Sequence, residues 1–287
     1  PQHKTPHTGP CRQAVTKIEP TFTAASYYNT GSEIQFNYLN DLVAIGTGIY
    51  LADGSNKLLR KIDASTSNIT TLAGSMENFA DGTGQDAEFK DIYNLLVSGT
   101  DIYVRDSHRI RKVDTNTGEV STFQTSANVN EMYRWTSIGT DIYYYHEDYS
   151  SYPQTRRISK IAQDGSVSEL ELNNYTIENY VYGLNSDGTD LLIAEYNSGN
   201  TLKFSRVAVD TGEVTSYTAT GESLTWLSSM AATDDSLFAI KDRDIYKIEL
   251  SGTTATVSKV TLSGLDTSTN IYFQRMTSSG NDLYVSV

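Results

Sequence analysis

The chain has 287 residues, with 22 basic and 35 acidic side chains and a formal charge of −13. That balance opposes nucleic acid and anionic membrane surfaces as partners, and no apolar run approaches the roughly 20 residues of a spanning helix. One cysteine, Cys11, excludes an internal disulfide framework and a Cys-rich zinc site. Twenty tyrosines, with Ser, Thr, Asn, Asp and Gly between short apolar runs, point to an all-β chain.

Residues 1–12 read as a tail or linker, and residues 13–287 as a single domain. AVTKIEP (14–20) and TFTAAS (21–26) each predict a strand. A turn-plus-strand unit then begins a series. It reads GTGIYLAD from Gly46, GTDIYVRD from Gly99 and GTDIYYYH from Gly139. It returns as GTDLLIAE from Gly188, DDSLFAIKD from Asp234 and GNDLYVSV from Gly280. The marker residues Tyr50, Tyr103, Tyr143, Leu192, Phe238 and Tyr284 are spaced by 53, 40, 49, 46 and 46. Such periods fit one four-stranded propeller blade each.

Each of the first five markers is followed by a strand with a basic residue near its end. These are LLRKID, RIRKVD, RISKIA, KFSRVAVD and DIYKIE, with Lys61, Lys112, Lys160, Arg206 and Lys247 in the basic position. A hairpin turn and another strand come next: TSNITTL, TGEVSTF, DGSVSEL, TGEVTSY and TTATVSKV. The sixth copy of this half is absent after Tyr284 and present near the N terminus, where Lys17 takes the basic position. The expectation is a six-bladed β-propeller whose last blade joins two C-terminal strands to two N-terminal ones. That closure hides two strand edges. The repeated basic residues are expected to be paired with nearby acids, and Asp53 and Asp106 to bond backbone N–H groups.

The stretch IYLADGSNKLLRKIDASTSNITTLAG, followed by DGTGQDAEFKDIYNL, resembles an NHL-type propeller repeat. The residues that carry the resemblance are Asp53, Lys61, Ile62, Asp63, Leu72, Ala73, Gly74, Asp81, Gly82, Gly84, Ala87 and Phe89. Asp106 and RIRKVD repeat them, and the post-strand position later holds His146, Glu195 and Lys241. The resemblance implies the propeller fold. It leaves function open among protein- and RNA-binding modules, adhesive or signalling ectodomains and lyases.

Candidate sites lie on the rim built from second-to-third-strand loops and blade-to-blade linkers. Aromatic residues concentrate there, and Tyr133, Trp135, His146, Tyr149, Tyr152, Tyr182 and Trp226 are the predicted binding residues. His3, His7, His108 and His146 do not predict a zinc site, and no catalytic residue or required cofactor is assigned. DGTGQD (81–86) has calcium-like oxygen spacing but lacks the downstream Glu of an EF-hand loop.

The leading expectation is a non-catalytic binding or scaffold propeller, secreted or on the cell surface and part of a larger chain. Its rim would recognise a glycan, a peptide or another protein. The alternatives are a propeller lyase or hydrolase with its site at the central channel, and a structural spacer of a larger adhesin.

Overall fold

Successive short strands, each bounded by Gly, Asn or Asp turns, fold into antiparallel meanders. The computed structural model describes residues 15–18, 24–27, 36–75, 78–125, 132, 134–149, 154–197, 199, 201–233, 236–263 and 273–286. β1 (Val15–Ile18) and β2 (Ala24–Tyr27) come first in the chain but belong to the last sheet. β3 (Leu39–Ile45), β4 (Gly48–Asp53), β5 (Leu58–Asp63) and β6 (Ile69–Ala73) form a four-stranded sheet. β7 (Gly82–Thr83) joins β8 (Ile92–Ser98), β9 (Asp101–Asp106), β10 (Arg109–Asp114) and β11 (Glu119–Gln124) in a five-stranded one. β12 (Arg134–Ile138), β13 (Asp141–Asp148), β14 (Thr155–Ile161) and β15 (Val167–Glu169) form the next.

Two further meanders share one eight-stranded sheet. The first is β16 (Val181–Ser186), β17 (Leu191–Tyr196), β18 (Leu202–Val207) and β19 (Val214–Gly221). The second is β20 (Ser229–Ala232), β21 (Leu237–Lys241), β22 (Asp244–Ser251) and β23 (Thr254–Lys259). Parallel pairing of Thr218–Gly221 with Thr254–Val257 joins them at their outer strands. β24 (Met276–Ser279) and β25 (Asp282–Ser286) then pair with the N-terminal hairpin in the order β2-β1-β25-β24. The register runs from Val15 opposite Ser286 to Ile18 opposite Leu283.

The first strands of these meanders, β3, β8, β12, β16, β20 and β24, touch one another in a closed cycle. The chain is therefore all-β in a propeller arrangement. The described residues hold only one short 3₁₀ turn, Gly84–Asp86. The core is divided into slices between neighbouring sheets: Val43, Tyr50 and Leu59 meet Phe89, Leu95 and Val104 in one slice. Strands packed on both faces need not alternate, and all six residues of β4 are buried. The turns after β3, β8, β12 and β24 put Gly46, Gly99, Gly139 and Gly280 at φ between 56° and 63°. Glycine alone visits that region without steric cost.

Five of the six repeated basic residues pair with an acid, as the sequence led us to expect. In four copies the acid is the aspartate of the Gly-Thr-Asp or Gly-Asn-Asp turn that opens the neighbouring strand: Lys112–Asp101 at 2.9 Å, Lys160–Asp141 at 2.6 Å and Lys17–Asp282 at 2.9 Å. Arg206 meets Asp190 at 2.8 Å and also bonds Asp187. Where the turn lacks the acid, the base turns elsewhere. Gly48 replaces it in the first copy, and Lys61 lies 5.5 Å from the Tyr50 ring centre. Ser236 replaces it in the fifth, and Lys247 pairs with Glu249 at 2.7 Å. Partly exposed pairs of this kind contribute about 0–1 kcal/mol each.

Candidate functional site

A channel of about 340 Å³ lies between the six inner strands. Near the start of each strand, one residue stands five positions before the turn: Asp41, Asn94, Arg134, Gly183, Ser229 and Arg275. All six line the channel, and among the described residues its charged lining is Asp41, Arg134 and Arg275. The repeats do not mark this position by residue type, because its chemistry differs in nearly every copy. The constant distance to the turn was the signal available.

These side chains tie adjacent strands together. Arg275 Nε donates to Asn40 O on β3, and its Nη1 donates to Ser228 O beside β20, each at 3.1 Å. Arg134 Nε donates to Tyr182 O at 2.7 Å, and Asn185 Nδ2 to Met230 O at 2.8 Å. Ser137 Oγ donates to Val97 O at 2.6 Å. Asp41 Oδ2 accepts from Leu95 N at 2.9 Å and Asn94 Nδ2 at 3.4 Å, while Oδ1 accepts from Leu42 N at 3.0 Å. Removal from water pushes the Asp41 pKa up, against the opposing pull of Arg275 and these donors. Desolvation pushes the Arg134 pKa down, and the like charge of Arg275 adds to that shift. Arginine nevertheless stays charged.

Of the predicted site residues, Trp135 and Tyr182 line the channel. Tyr182 also belongs to a run of rings: Tyr145–Tyr180 at 6.0 Å, Tyr180–Tyr182 at 5.2 Å and Tyr182–Tyr196 at 6.3 Å. Tyr149 and Trp226 are exposed, at 56% and 37%. Tyr133 and Tyr152 lie outside the described residues, as do Cys11, His3 and His7. His146 departs from its expected place in a rim loop. β13 pairs with β14 as far as Asp148 opposite Thr155, so His146 falls inside a strand. There it is buried, 3.0 Å from Ser159 Oγ and tilted against Tyr144. The structure adds two aromatics to the rim. Tyr38 is exposed with φ 64°, its carbonyl accepting from Gly54 N. Tyr93 is exposed at the start of β8, with the Arg105 guanidinium 5.0 Å from its ring centre. Tyr38, Tyr93, Tyr149 and Trp226 all sit at the end of the molecule where the inner strands begin.

The acids beneath this rim are held by the fold. Asp53 Oδ1 accepts from Asn37 N at 2.9 Å, and its Oδ2 meets Arg60 Nε at 3.1 Å. Asp106 Oδ1 accepts from the backbone of Lys90 and Asp91, and its Oδ2 meets Arg111 Nη1 at 2.9 Å. Asp81, from the calcium-like segment, accepts from Arg111 Nη2 at 2.7 Å and Thr122 Oγ1 at 2.9 Å. In the third and fourth meanders the equivalents are His146 on Ser159, and Glu195 beside Tyr175 and Lys203. No group of three or more His, Cys, Asp or Glu among the described residues is placed to hold a metal ion.

Glu147 is buried and accepts from Tyr145 OH and Arg156 Nε, each at 2.8 Å, and from Tyr149 OH. Burial pushes its pKa up, but these donors outweigh it and hold the carboxyl below the usual range. Its contribution to stability is therefore present above the ordinary glutamate value, about 4.3, and lost as pH falls through the depressed folded value. Glu147→Gln is expected to cost about 1–3 kcal/mol at pH 7. Urea titrations of both proteins should show the gap closing in acid; a gap that widens there contradicts the assignment.

No protein-family profile matches the chain, and no curated protein sequence does. Solved structures do resemble it. The chain matches streptogramin B lyase with a TM-score of 0.57 at 14% identity, over 96% of this chain and 80% of that one. It matches a chain of a nidogen/laminin complex with a TM-score of 0.55 at 11% identity, over 85% and 91%. It matches the extracellular domain of a one-component system from B. thetaiotaomicron with a TM-score of 0.52 at 12% identity, over 94% and 35%. These neighbours are β-propellers, and they include an enzyme as well as a binding domain. At such identities the likeness establishes the fold alone.

Proposed function

We propose that residues 13–287 form one six-bladed propeller that binds a peptide segment of a protein partner across its aromatic rim. The eight-stranded sheet counts as two blades because it supplies two of the six inner strands. The observation that carries the binding role is that Tyr38, Tyr93, Tyr149 and Trp226 are all exposed at the end of the molecule where the channel-lining strands begin. Large rigid rings with polar tips give contact area at low entropic cost and are enriched where binding energy concentrates. Secretion or surface display fits the acidic, tyrosine-rich composition and the extracellular domain among the structural neighbours.

The test is selection of a displayed peptide library on the full chain. Selected peptides should bind Tyr93→Ser and Trp226→Ser at least tenfold more weakly, about 1.4 kcal/mol, while both variants melt close to the wild type. Equal binding to wild type and variants overturns the rim assignment. Ligands found only on a glycan array overturn the peptide.

A further inference from the structure

We propose that the channel end beneath the rim holds a carboxylate group between Arg134 and Arg275. This deepens the rim reading and rests on it: the group is an Asp or Glu side chain, or the C terminus, of the bound segment. Among the described residues the channel lining carries two guanidiniums and one carboxylate, a local excess of one positive charge in a chain of charge −13.

Asp41 does not cancel the arginines by contact. Its two oxygens are taken by Leu42 N, Leu95 N and Asn94 Nδ2, all protein donors. Arg275 spends Nε and Nη1 on backbone carbonyls, which carry no charge. Its Nη2 has no protein acceptor among the described residues and is not a buried orphan, so solvent in the channel reaches it. Guanidinium groups favour planar, bidentate carboxylate partners. A net charge of one suits a monoanion better than a phosphate dianion, which Asp41 repels. The volume, about 340 Å³, is at the small end of ligand pockets. It has room for the side-chain terminus of a segment lying mainly on the rim.

The arginine Nε–H resonances of the ¹⁵N-labelled full chain test this. Acetate, titrated against chloride at constant ionic strength, should shift Arg134 and Arg275 saturably, and phosphate should bind more weakly. N-acetylglutamate N-methylamide probes the side-chain source and N-acetylalanine the C-terminal one. The neutral glutamine and alaninamide counterparts should not bind. Arg275→Gln should weaken acetate at least tenfold. Arg275→Lys, which keeps the charge and loses the fork, should remain folded by its melting curve and bind several-fold more weakly. Shifts that merely follow ionic strength, or acetate binding indifferent to Arg275→Lys, overturn the carboxylate site. If selected peptides still bind through Tyr93 and Trp226 in that case, the rim reading stands alone. Acetate binding retained while peptides ignore the rim overturns the rim reading instead.

Discussion

Replacing Arg111 with methionine is expected to lower the unfolding free energy by about 3–5 kcal/mol, the usual cost of stripping one partner from a buried ion pair. Arg111 is fully buried, and its guanidinium joins four acceptors: Asp106 Oδ2, Asp81 Oδ1, Glu88 O and Ala80 O. These acceptors come from β9 and from the linker that leads into β8. Asp106 is itself fully buried, and burial already holds its pKa above the ordinary carboxylate value, against the pull of Arg111 and two backbone donors. Losing Arg111 raises it further. A carboxyl with a raised folded pKa contributes its stability below the unfolded value and loses it as pH rises through the folded one. The Arg111→Met penalty should therefore shrink as pH is lowered toward 4, and Asp106→Asn should rescue part of it at neutral pH. Urea unfolding of the four proteins of this cycle measures both effects. A loss below about 1 kcal/mol at pH 7, the range of an exposed pair, contradicts the assignment.

Deleting residues 1–27 should abolish cooperative monomeric folding. β1 contributes the whole register against β25, from Val15–Ser286 to Ile18–Leu283, and Thr16 is fully buried there. Without β1 and β2, half of one sheet is gone and β25 becomes an open edge that invites association. The loss should equal or exceed the roughly 5–15 kcal/mol that holds a typical domain together. Thermal melting with light scattering should show early, concentration-dependent aggregation, and a synthetic peptide of residues 13–28 should restore the monomer. A truncated chain that melts like the full one contradicts the closure.

The parts of this architecture visible beforehand are those that repeat. The Gly-Thr-Asp turn and the lysine on the following strand pair in space, so their recurrence reports a contact as well as a period. What stayed hidden lies where the copies differ. Asp41, Asn94, Arg134, Gly183, Ser229 and Arg275 occupy one ring position, and no single chemistry repeats around it. The strand position of His146 is hidden because β13 outruns its counterparts, and nothing local distinguishes its last residues from a turn. The parallel pairing of Thr218–Gly221 with β23 left no trace in a polar Thr-Ala-Thr-Gly run. Its requirement shows only in space, where a Cβ on Gly221 would stand 2.2 Å from Val257 O.

Amide hydrogen exchange of the full chain, with and without a selected peptide, tests the binding face most directly. Protection is predicted at Tyr38–Asp41, Ile92–Asn94, Arg134–Trp135 and Leu224–Ser228. Protection confined to the opposite turns, Gly46–Thr47, Gly99–Thr100 and Gly139–Thr140, would contradict it.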